Sequence, residues 1–579
     1  MAITQLPYAI KTDTAADNAN IQADIFKDLP EGLKKVAEEH PHVLAYLSRM
    51  PFEEFGIPEY APELTRKHGD IKKPNIIYPA HRNAVFIHIL PGPDRNHYIP
   101  IEPHYGLELD KLMMDIEIQL LNARNKLKKV NPDEDKEKQF IDFLKLVTTV
   151  EDDPKNTGVI NKSLGFLQNN LQGVNKIKVT QRELDAIKYL FVRNKLGLGA
   201  MDPLIVDPYI EDISCSGLGQ IFIEHKIFKA LKSTVTFVTL DDLDEFVLWL
   251  GDRVKKPVTF KAPISDATLP DGSPINIVYG REVSKRGSNF SIRKFAEVPL
   301  SVFEVLEFGT FNYEMLAYLS LAIGNGMNAF VSGETASGKT TLLNALTVFI
   351  PPLAKIITIE DTPELQVPHQ NWIREVVQSS KVEDNGGAIT MFDLLKAALR
   401  QRPDELMIGE IRGKEGNVAF QAMQTGHSVM ATFHAASIEK LIQRLTGDPI
   451  LVPKNYVDNL NVVILTSQVK LPNGRQGRRI TGISEIVNYD AALESFSFVE
   501  SFKWNQENDT FEFSGYMSSY VLEELIAPKL GIPPHKKQRV YAEVERRAII
   551  LQKLHKERGV KGFYEVLDVL NKAQQEGLF

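Results

Sequence analysis

The segment NAFVSGETASGKTTLLNALTVFI constrains the fold of this 579-residue chain more than any other. An apolar run ends at Ser332, the turn GETASGKT follows, and apolar residues with helical spacing begin at Lys339. The turn fits the pattern G-x-x-x-x-G-K-[ST], whose backbone N–H groups bind phosphate oxygens when a strand precedes it and a helix follows. Because both flanking elements are predicted, the segment indicates an α/β fold with a phosphate-binding loop.

The residues of this loop have distinct expected roles. Gly333 and Gly338 allow the backbone to curl, and the helix N-terminus adds partial positive charge. Lys339 is expected to reach the β- and γ-phosphates, Thr340 to bind Mg²⁺ and Thr341 to contact the α-phosphate. The loop therefore predicts ATP and Mg²⁺ as cofactors. The predicted cofactor-binding residues are Gly333, Glu334, Thr335, Ala336, Ser337, Gly338, Lys339, Thr340 and Thr341.

Hydrophobic periodicity divides the chain into regions of different character. Residues 304–500 alternate strand-like and helical runs, which predicts a largely parallel sheet covered by helices. Residues 176–298 mix strand-like runs with one helix and predict an α+β domain, and residues 299–303, with Pro299, predict a hinge. The N-terminal residues 1–175 are predicted to be mostly helical and to offer a docking surface for a partner. Residues 501–579 are predicted to form a hairpin followed by helices.

Two glutamates at predicted strand ends are candidates for the chemistry of hydrolysis. Glu360 ends the run KIITIE, and Glu410 follows the run ELMIG. The carboxyl ends of parallel strands border the crevice in which ligands bind, so both side chains are expected to face the phosphates. We expect Glu360 to orient or deprotonate the attacking water and Glu410 to hold the shell of Mg²⁺, although the two roles are exchangeable. A lone glutamate at such a position would more often be a helix cap or a surface charge.

Two histidines bracket a third strand-like run, TGHSVMATFHAAS. His427 opens the run and His434 closes it, so along an extended strand the two side chains point to opposite faces. That geometry disfavours a shared metal ion. The functional interpretation is that one or both sense the terminal phosphate. The alternative for each is a buried structural histidine.

Composition excludes several classes of protein. The net charge is −8, which disfavours a nucleic-acid binder, and the single cysteine, Cys215, excludes both an intramolecular disulfide and a multi-cysteine zinc site. The first twenty residues lack the features of a secretory signal, and the most apolar stretch, 315–331, is interrupted by glycine and asparagine. We therefore expect a cytoplasmic protein that contacts a membrane only peripherally.

The four motifs, in this order, resemble those of the secretion-type ATPases that serve type II secretion, type IV pili and archaeal motility filaments. GETASGKT is similar to the phosphate loop of that family, ITIEDTPEL to its aspartate box, LRQRPDELMIGEIRG to its Walker B region and TGHSVMATFHAAS to its histidine box. The resemblance covers about residues 175–500. It implies a RecA-like ATPase domain preceded by an α+β domain whose arginines reach the nucleotide, with Arg281, Arg286 and Arg293 as the matching candidates.

The same resemblance implies how the protein works with others. It implies a homo-hexameric ring, a polytopic membrane platform protein as partner and a companion regulatory ATPase, with no nucleic acid. The zinc insertion of many bacterial members is missing, and the run ATFHAASIEKLIQRLTGDPILVPKNYVDNLNVVILTSQV is most similar to the archaeal branch, nearest to the archaellum motor ATPases. The alternatives are an archaeal pilus-assembly or secretion ATPase, a nucleotide-gated scaffold with little turnover, and a DNA translocase.

Overall fold

A computed structural model describes residues 3–8, 29–80, 84–123, 135–150, 176–294, 298–377 and 389–579. The chain divides into two compact units, residues 1–295 and residues 296–579, called here the first unit and the second unit. Each has its own buried apolar core. The second unit contains the phosphate loop.

The first unit combines helices with a large sheet. Its strands are β1 Ile3–Thr4, β2 Glu59–Tyr60, β3 Ile76–Pro79, β4 Phe86–Leu90, β5 His97–Ile101, β6 Thr148–Val150, β7 Ile177–Val179, β8 Ile210–Cys215, β9 Gly219–His225, β10 Lys229–Phe237, β11 Ile264–Thr268, β12 Pro274–Val278 and β13 Asn289–Arg293. Its helices are α1 Glu31–Glu39, α2 Pro41–Leu47, α3 Phe52–Phe55, α4 Asp110–Asn122, α5 Lys136–Val147, α6 Gln181–Lys195, α7 Asp202–Val206 and α8 Leu240–Arg253, with 3₁₀ turns at Arg66–Asp70 and Gly199–Met201.

The N-terminal region is less helical than its sequence suggests. Strands β2 to β5 belong to the same sheet as β8 to β13, in the order β11-β12-β13-β8-β9-β10-β5-β4-β3-β2, with β1 on β10. Every residue of β4 and β5 is buried, so neither strand shows the alternation of polar and apolar residues that marks a half-exposed strand. The expected division between a helical region 1–175 and an α+β domain 176–298 therefore differs from the structure, in which one sheet joins the two.

In the second unit helices separate most of the first six strands, although β15 and β16 follow each other without a helix between them. Its strands are β14 Ala329–Gly333, β15 Ile356–Glu360, β16 Trp372–Val376, β17 Glu405–Ile408, β18 Ser428–Phe433, β19 Val462–Lys470, β20 Gln476–Asp490, β21 Ser495–Asn505 and β22 Thr510–Glu512. Its α-helices are α9 Val302–Glu307, α10 Tyr313–Gly324, α11 Lys339–Leu346, α12 Met391–Arg400, α13 Glu415–Gln424, α14 Ile438–Thr446, α15 Ala527–Lys529, α16 Val540–Lys556 and α17 Phe563–Gln575. Shorter helical turns are Thr347–Phe349, Lys454–Asn459, Val521–Ile526 and Pro534–Arg539.

The sheet of the second unit confirms the predicted α/β fold with a mainly parallel sheet. Its strand order is β16-β15-β17-β18-β14-β19-β20-β21-β22. The six strands from β16 to β19 pair in parallel, and β20, β21 and β22 extend the sheet in antiparallel pairs. Because parallel strands end at the same edge, the carboxyl ends of β15, β17, β18 and β14 lie side by side in that order.

Two predicted boundaries fall inside this unit. Position 501 lies within β21, and the buried carboxylate of Glu485 on β20 accepts hydrogen bonds from Ser501 and Ser519, so the C-terminal segment is tied to the sheet. In the predicted hinge 299–303, Ser301 caps α9 through its side chain, and Val302 and Phe303 are fully buried in the core of the second unit. These three residues are therefore part of a packed helix rather than a free linker.

Candidate active site

The phosphate loop adopts the conformation that its glycines predict. It connects β14 to α11, and Gly338, the residue before the helix, has φ +90°. At Gly333, a Cβ atom would lie 2.2 Å from the carbonyl oxygen of Thr466 on β19. No other residue fits that position without displacing backbone, because Cβ contacts this short are strongly repulsive. The structure thus explains both glycines: Gly338 has a left-handed backbone, and β19 approaches Gly333 closely.

Lys339 lies against its own loop. Its ammonium donates to the carbonyl oxygens of Gly333 at 3.0 Å and Glu334 at 2.9 Å. Burial lowers the pKa of Lys339, and the negative charge of Glu410 partly offsets that decrease. Glu410 follows β17, whose carboxyl end lies in the same row as that of β14, from which the phosphate loop starts.

Neighbouring strands hold the loop in place. The Ser337 hydroxyl lies 3.0 Å from the hydroxyl of Thr466, and the Ser332 hydroxyl donates to the carbonyl oxygen of Ala435 at 2.7 Å. Both serines are buried. These contacts hold Ser337 against β19 and Ser332 against the segment after β18. The backbone N–H groups of the loop are therefore preorganised.

Glu360 ends β15 and is almost completely buried, with 1% of its surface exposed. Its Oε1 accepts backbone N–H bonds from Glu364 at 2.8 Å and Leu365 at 2.7 Å. Its Oε2 is buried without a hydrogen-bond partner, 3.7 Å from Nε of Arg374. Burial raises the pKa of Glu360 to about 7, and the two N–H bonds and Arg374 limit the rise. One oxygen thus fixes the following turn, while the other keeps unused hydrogen-bonding capacity.

The turn after Glu360 contacts the helix of the phosphate loop. Asn344 on α11 donates to the carbonyl oxygen of Glu364 at 3.0 Å and accepts from the N–H of Gln366 at 3.0 Å. The segment that Glu360 organises is therefore hydrogen-bonded to the first turns after Lys339. The side chain of Asn344 thus links the two segments.

Glu410 lies on the next strand end toward the loop. Gly409 packs against Glu360, since a Cβ at this glycine would be 3.2 Å from Cγ of Glu360. The Glu410 carboxylate accepts from Arg412 at 2.6 Å, and Arg412 also lies 4.0 Å from Asp361. Glu410 is partly exposed, whereas Glu360 is buried. The structure thus gives the two predicted acids different environments on adjacent strands.

The structure separates the two histidines. His434 follows β18 at the carboxyl edge, and its Nε2 lies 3.2 Å from the hydroxyl of Thr335 in the phosphate loop. His427 precedes the same strand and contacts Thr425 at 3.1 Å. Seven residues of strand span roughly 23 Å, so His427 lies at the opposite edge of the sheet. Within this unit only His434 joins the site, and the expectation that His427 also senses the phosphate has no support from its position.

Arg281, Arg286 and Arg293 lie in the first unit. Arg281 and Arg286 belong to the exposed turn between β12 and β13, and Arg281 is 3.5 Å from Asp241. Arg293 ends β13, 3.3 Å from Asp212, with 64% of its side chain exposed. The predicted role of the three arginines toward the nucleotide stays a prediction.

Arg478 is a site residue that sequence reasoning missed. It lies on β20, donates from Nε to the carbonyl oxygen of Ala336 at 3.0 Å, and has its Cδ 3.2 Å from where a Cβ on Gly338 would stand. A cation is thus held against the tip of the phosphate loop. The basic run RQGRR was visible in the sequence, but no local pattern indicates that this antiparallel strand reaches the loop.

The described residues contain no group of three or more His, Cys, Asp or Glu side chains arranged to hold a metal ion. A Mg²⁺ ion bound with a nucleotide needs few protein ligands, because phosphate oxygens and water complete its shell. The Thr340 hydroxyl, half-buried at the start of α11, and the Glu410 carboxylate fit that need. No helix in the described ranges combines the length and the apolar character that crossing a membrane requires.

Comparison with known proteins identifies relatives over most of the chain. The family model "Type II/IV secretion system protein" matches residues 195–469. An uncharacterised protein of Methanocaldococcus jannaschii is 40% identical over 549 residues, covering 94% of this chain and 97% of that protein. Protein VirB11 of Agrobacterium fabrum is 29% identical over 258 residues, covering 40% of this chain and 74% of that protein. A crystal structure of the pilus retraction motor PilT with bound ADP has 20% identity and a TM-score of 0.35, covering 49% of this chain and 80% of that chain.

Proposed function

This chain belongs to the type II/IV secretion system ATPase superfamily, and we propose that it is an ATP-hydrolysing hexameric motor that powers assembly and rotation of the archaellum. The members of this family are ATPases, and membership in the family implies that the chain binds a nucleotide. The specific reaction proposed is ATP and water to ADP and phosphate, coupled to mechanical work. The observation that carries the proposal is the row of four motifs along one sheet edge.

The proposed division of labour follows from the environments of the site residues. The loop N–H groups and Lys339 bind the phosphates, while Thr340 and Glu410 hold Mg²⁺ with its water shell. Mg²⁺ supplies charge neutralisation on the phosphate oxygens. Glu360, whose pKa is near 7 and whose Oε2 lacks a hydrogen-bond partner, orients the attacking water and accepts its proton. In this proposal the buried Glu360 acts as the base, and the partly exposed Glu410 binds the water shell of Mg²⁺.

His434 and the arginines complete the proposed cycle. His434 contacts Thr335 and reports the state of the terminal phosphate to β18. Arg281, Arg286 and Arg293 approach the nucleotide from the α+β part of the chain and stabilise the charge of the transferred phosphoryl group. Loss of the phosphate releases these contacts, and the resulting motion is transmitted to a partner.

The proposed partners come from the resemblance to the family. They are five further copies in a ring, a polytopic platform protein and a companion regulatory ATPase. The proposed location is the cytoplasmic face of the cell membrane. The net charge of −8 gives no support to a nucleic-acid partner. The alternative, an archaeal pilus-assembly or secretion ATPase, is supported by the description of the matching family model, "Type II/IV secretion system protein".

The decisive experiment measures phosphate release and nucleotide binding in the same preparations. The full chain is compared with Lys339→Ala, Glu360→Gln and Glu410→Gln by steady-state turnover and by titration with a fluorescent ADP analogue. We expect Lys339→Ala to weaken binding, and both Gln variants to bind nucleotide but lose turnover. Full turnover in both Gln variants would refute the proposed chemistry.

ATP turnover measured without a partner does not show which filament or secretion system the protein serves. Co-purification from the native cell, followed by identification of the membrane protein retained, separates an archaellum platform from a pilus or secretion platform. Mass measurement with bound nucleotide tests the ring. A pilus or secretion platform in place of the archaellum one would contradict the first proposal and support the alternative.

A further inference from the structure

The first unit contains a cavity of about 720 Å³ that plays no part in the proposed ATPase chemistry. It lies between the N-terminal strand and the turn after β5, and its lining includes Gln5, Tyr8, Arg49, His104 and Tyr105. The volume falls within the range of roughly 300–1,000 Å³ that is typical of small-molecule sites. The described residues that line it include no aspartate or glutamate. The lining is mainly apolar, and Arg49 brings a positive charge to it.

Arg49 lines this cavity, and Arg182, which is outside the lining, approaches the same lining residue, Gly106. A Cβ atom on Gly106 would lie 3.6 Å from Nη1 of Arg49 and 3.7 Å from Nη2 of Arg182. Gly106 has φ +78°, a conformation that L side chains rarely adopt, so this position stays free of a side chain. The two guanidiniums are consequently close neighbours across a small open space.

Neither guanidinium has a counter-ion among the described residues. Arg49 stacks over the ring of Tyr105, 5.6 Å from its centroid. Arg182 donates from Nη2 to the carbonyl oxygen of Tyr105 at 3.0 Å, and its Nε is buried without a hydrogen-bond partner. Nδ1 of His104 is also buried and unpartnered. Nε of Arg182 and Nδ1 of His104 therefore have unused hydrogen-bonding capacity.

The charges beside Gly106 are unfavourable for the protein by itself. Burial lowers the pKa of Arg182, and the charge of Arg49 lowers it further, with no carboxylate acting in the opposite direction. Buried like charges without a counter-ion destabilise a fold unless a ligand supplies one. Arg193 differs from this pair, because it lies 2.6 Å from the carboxylate of Glu102.

We propose that this cavity binds a soluble, phosphate-bearing small molecule whose phosphoryl group lies between Arg49 and Arg182. A phosphoryl dianion matches two guanidiniums in charge, and its three oxygens accept more donors than a carboxylate can. The rings of Tyr8 and Tyr105 provide apolar surface for the rest of the ligand. The proposal is independent of the ATPase site, because every residue in it belongs to the first unit.

The test uses pyrophosphate as the probe and titration calorimetry on the full chain. Lys339→Ala removes the principal cation of the nucleotide site, so binding that persists in this variant reports the cavity. In that background we expect Arg49→Gln and Arg182→Gln to weaken pyrophosphate binding roughly ten-fold or more, and Arg49→Lys to weaken it less. Arg95→Gln, an exposed arginine of the same unit stacked on Phe222, is the matched control and should bind as the parent does.

Stability without ligand separates binding from a structural role. Arg49→Gln removes the repulsion from Arg182 and also the stacking on Tyr105, so its thermal midpoint should stay near that of the parent, while pyrophosphate should raise the midpoint less. A lowered midpoint together with an unchanged titration would overturn the proposal. So would the absence of pyrophosphate binding in Lys339→Ala. Arg49-dependent binding to phosphatidylglycerol vesicles, without binding of pyrophosphate, would assign the cavity to a lipid headgroup and also overturn it.

Discussion

Replacing Glu360 by Gln should stabilise the second unit at high pH while abolishing turnover. The folded chain binds the Glu360 proton more tightly than the unfolded chain, because burial raises this pKa from 4.5 to about 7. Stability is therefore lost as the pH rises from about 4.5 to 7, and the loss persists above that range. The difference between the two pKa values corresponds to about 3 kcal/mol at pH 8. Glutamine carries no charge and still offers one oxygen to the N–H groups of Glu364 and Leu365.

The assay is urea unfolding followed by tryptophan fluorescence at pH 5 and pH 8. Trp249→Phe serves as the background, so that Trp372 and Trp504, both in the second unit, are the reporters. Trp372 donates to Thr358 on β15, the strand that ends at Glu360. We expect the gain from Glu360→Gln to be small at pH 5 and about 3 kcal/mol at pH 8. An equal effect at both pH values would refute the reasoning from burial.

Glu405→Gln is the matched control for this experiment. Glu405 begins β17, is 4% exposed, and has a pKa that burial raises to about 8. It lies at the opposite edge of the sheet from the phosphate loop, since parallel strands share their direction. The variant should therefore also gain stability at pH 9 but keep full ATPase turnover. Loss of turnover in this control would mean that the activity assay reports a general change in the sheet.

Three further outcomes test the site. Arg478→Ala should raise the KM for ATP roughly three- to ten-fold with a smaller change in kcat, because an exposed charged hydrogen bond to the loop is lost. An unchanged KM in a steady-state assay would contradict this prediction. His434→Gln should lower turnover, whereas His427→Gln should leave the affinity for a fluorescent ADP analogue within about two-fold of the parent. Chelation of Mg²⁺ by EDTA should abolish turnover, and added Mg²⁺ should restore it; activity that persists in EDTA would exclude the proposed metal role.

The environments of the two acids explain why a sequence pattern alone left their roles exchangeable. Both follow apolar strands, and both are glutamates. Only the packing makes one of them buried, with a pKa near 7, and the other partly exposed and paired with Arg412. A general base works best when its pKa is near the working pH, so the difference in burial selects Glu360 for that role in the proposal.

The sequence by itself determined the phosphate loop, its flanking strand and helix, and the parallel sheet around it. These features follow from local rules: two glycines at fixed spacing, a lysine at the start of a helix, and apolar runs alternating with helical periods. Only the tertiary structure showed that β4 and β5 join a sheet with β8 to β13, that Arg478 contacts the loop, and that His427 lies at the far edge. Strand neighbours, burial and the pKa of Glu360 depend on residues distant in the chain, and no local pattern specifies which distant strands pair.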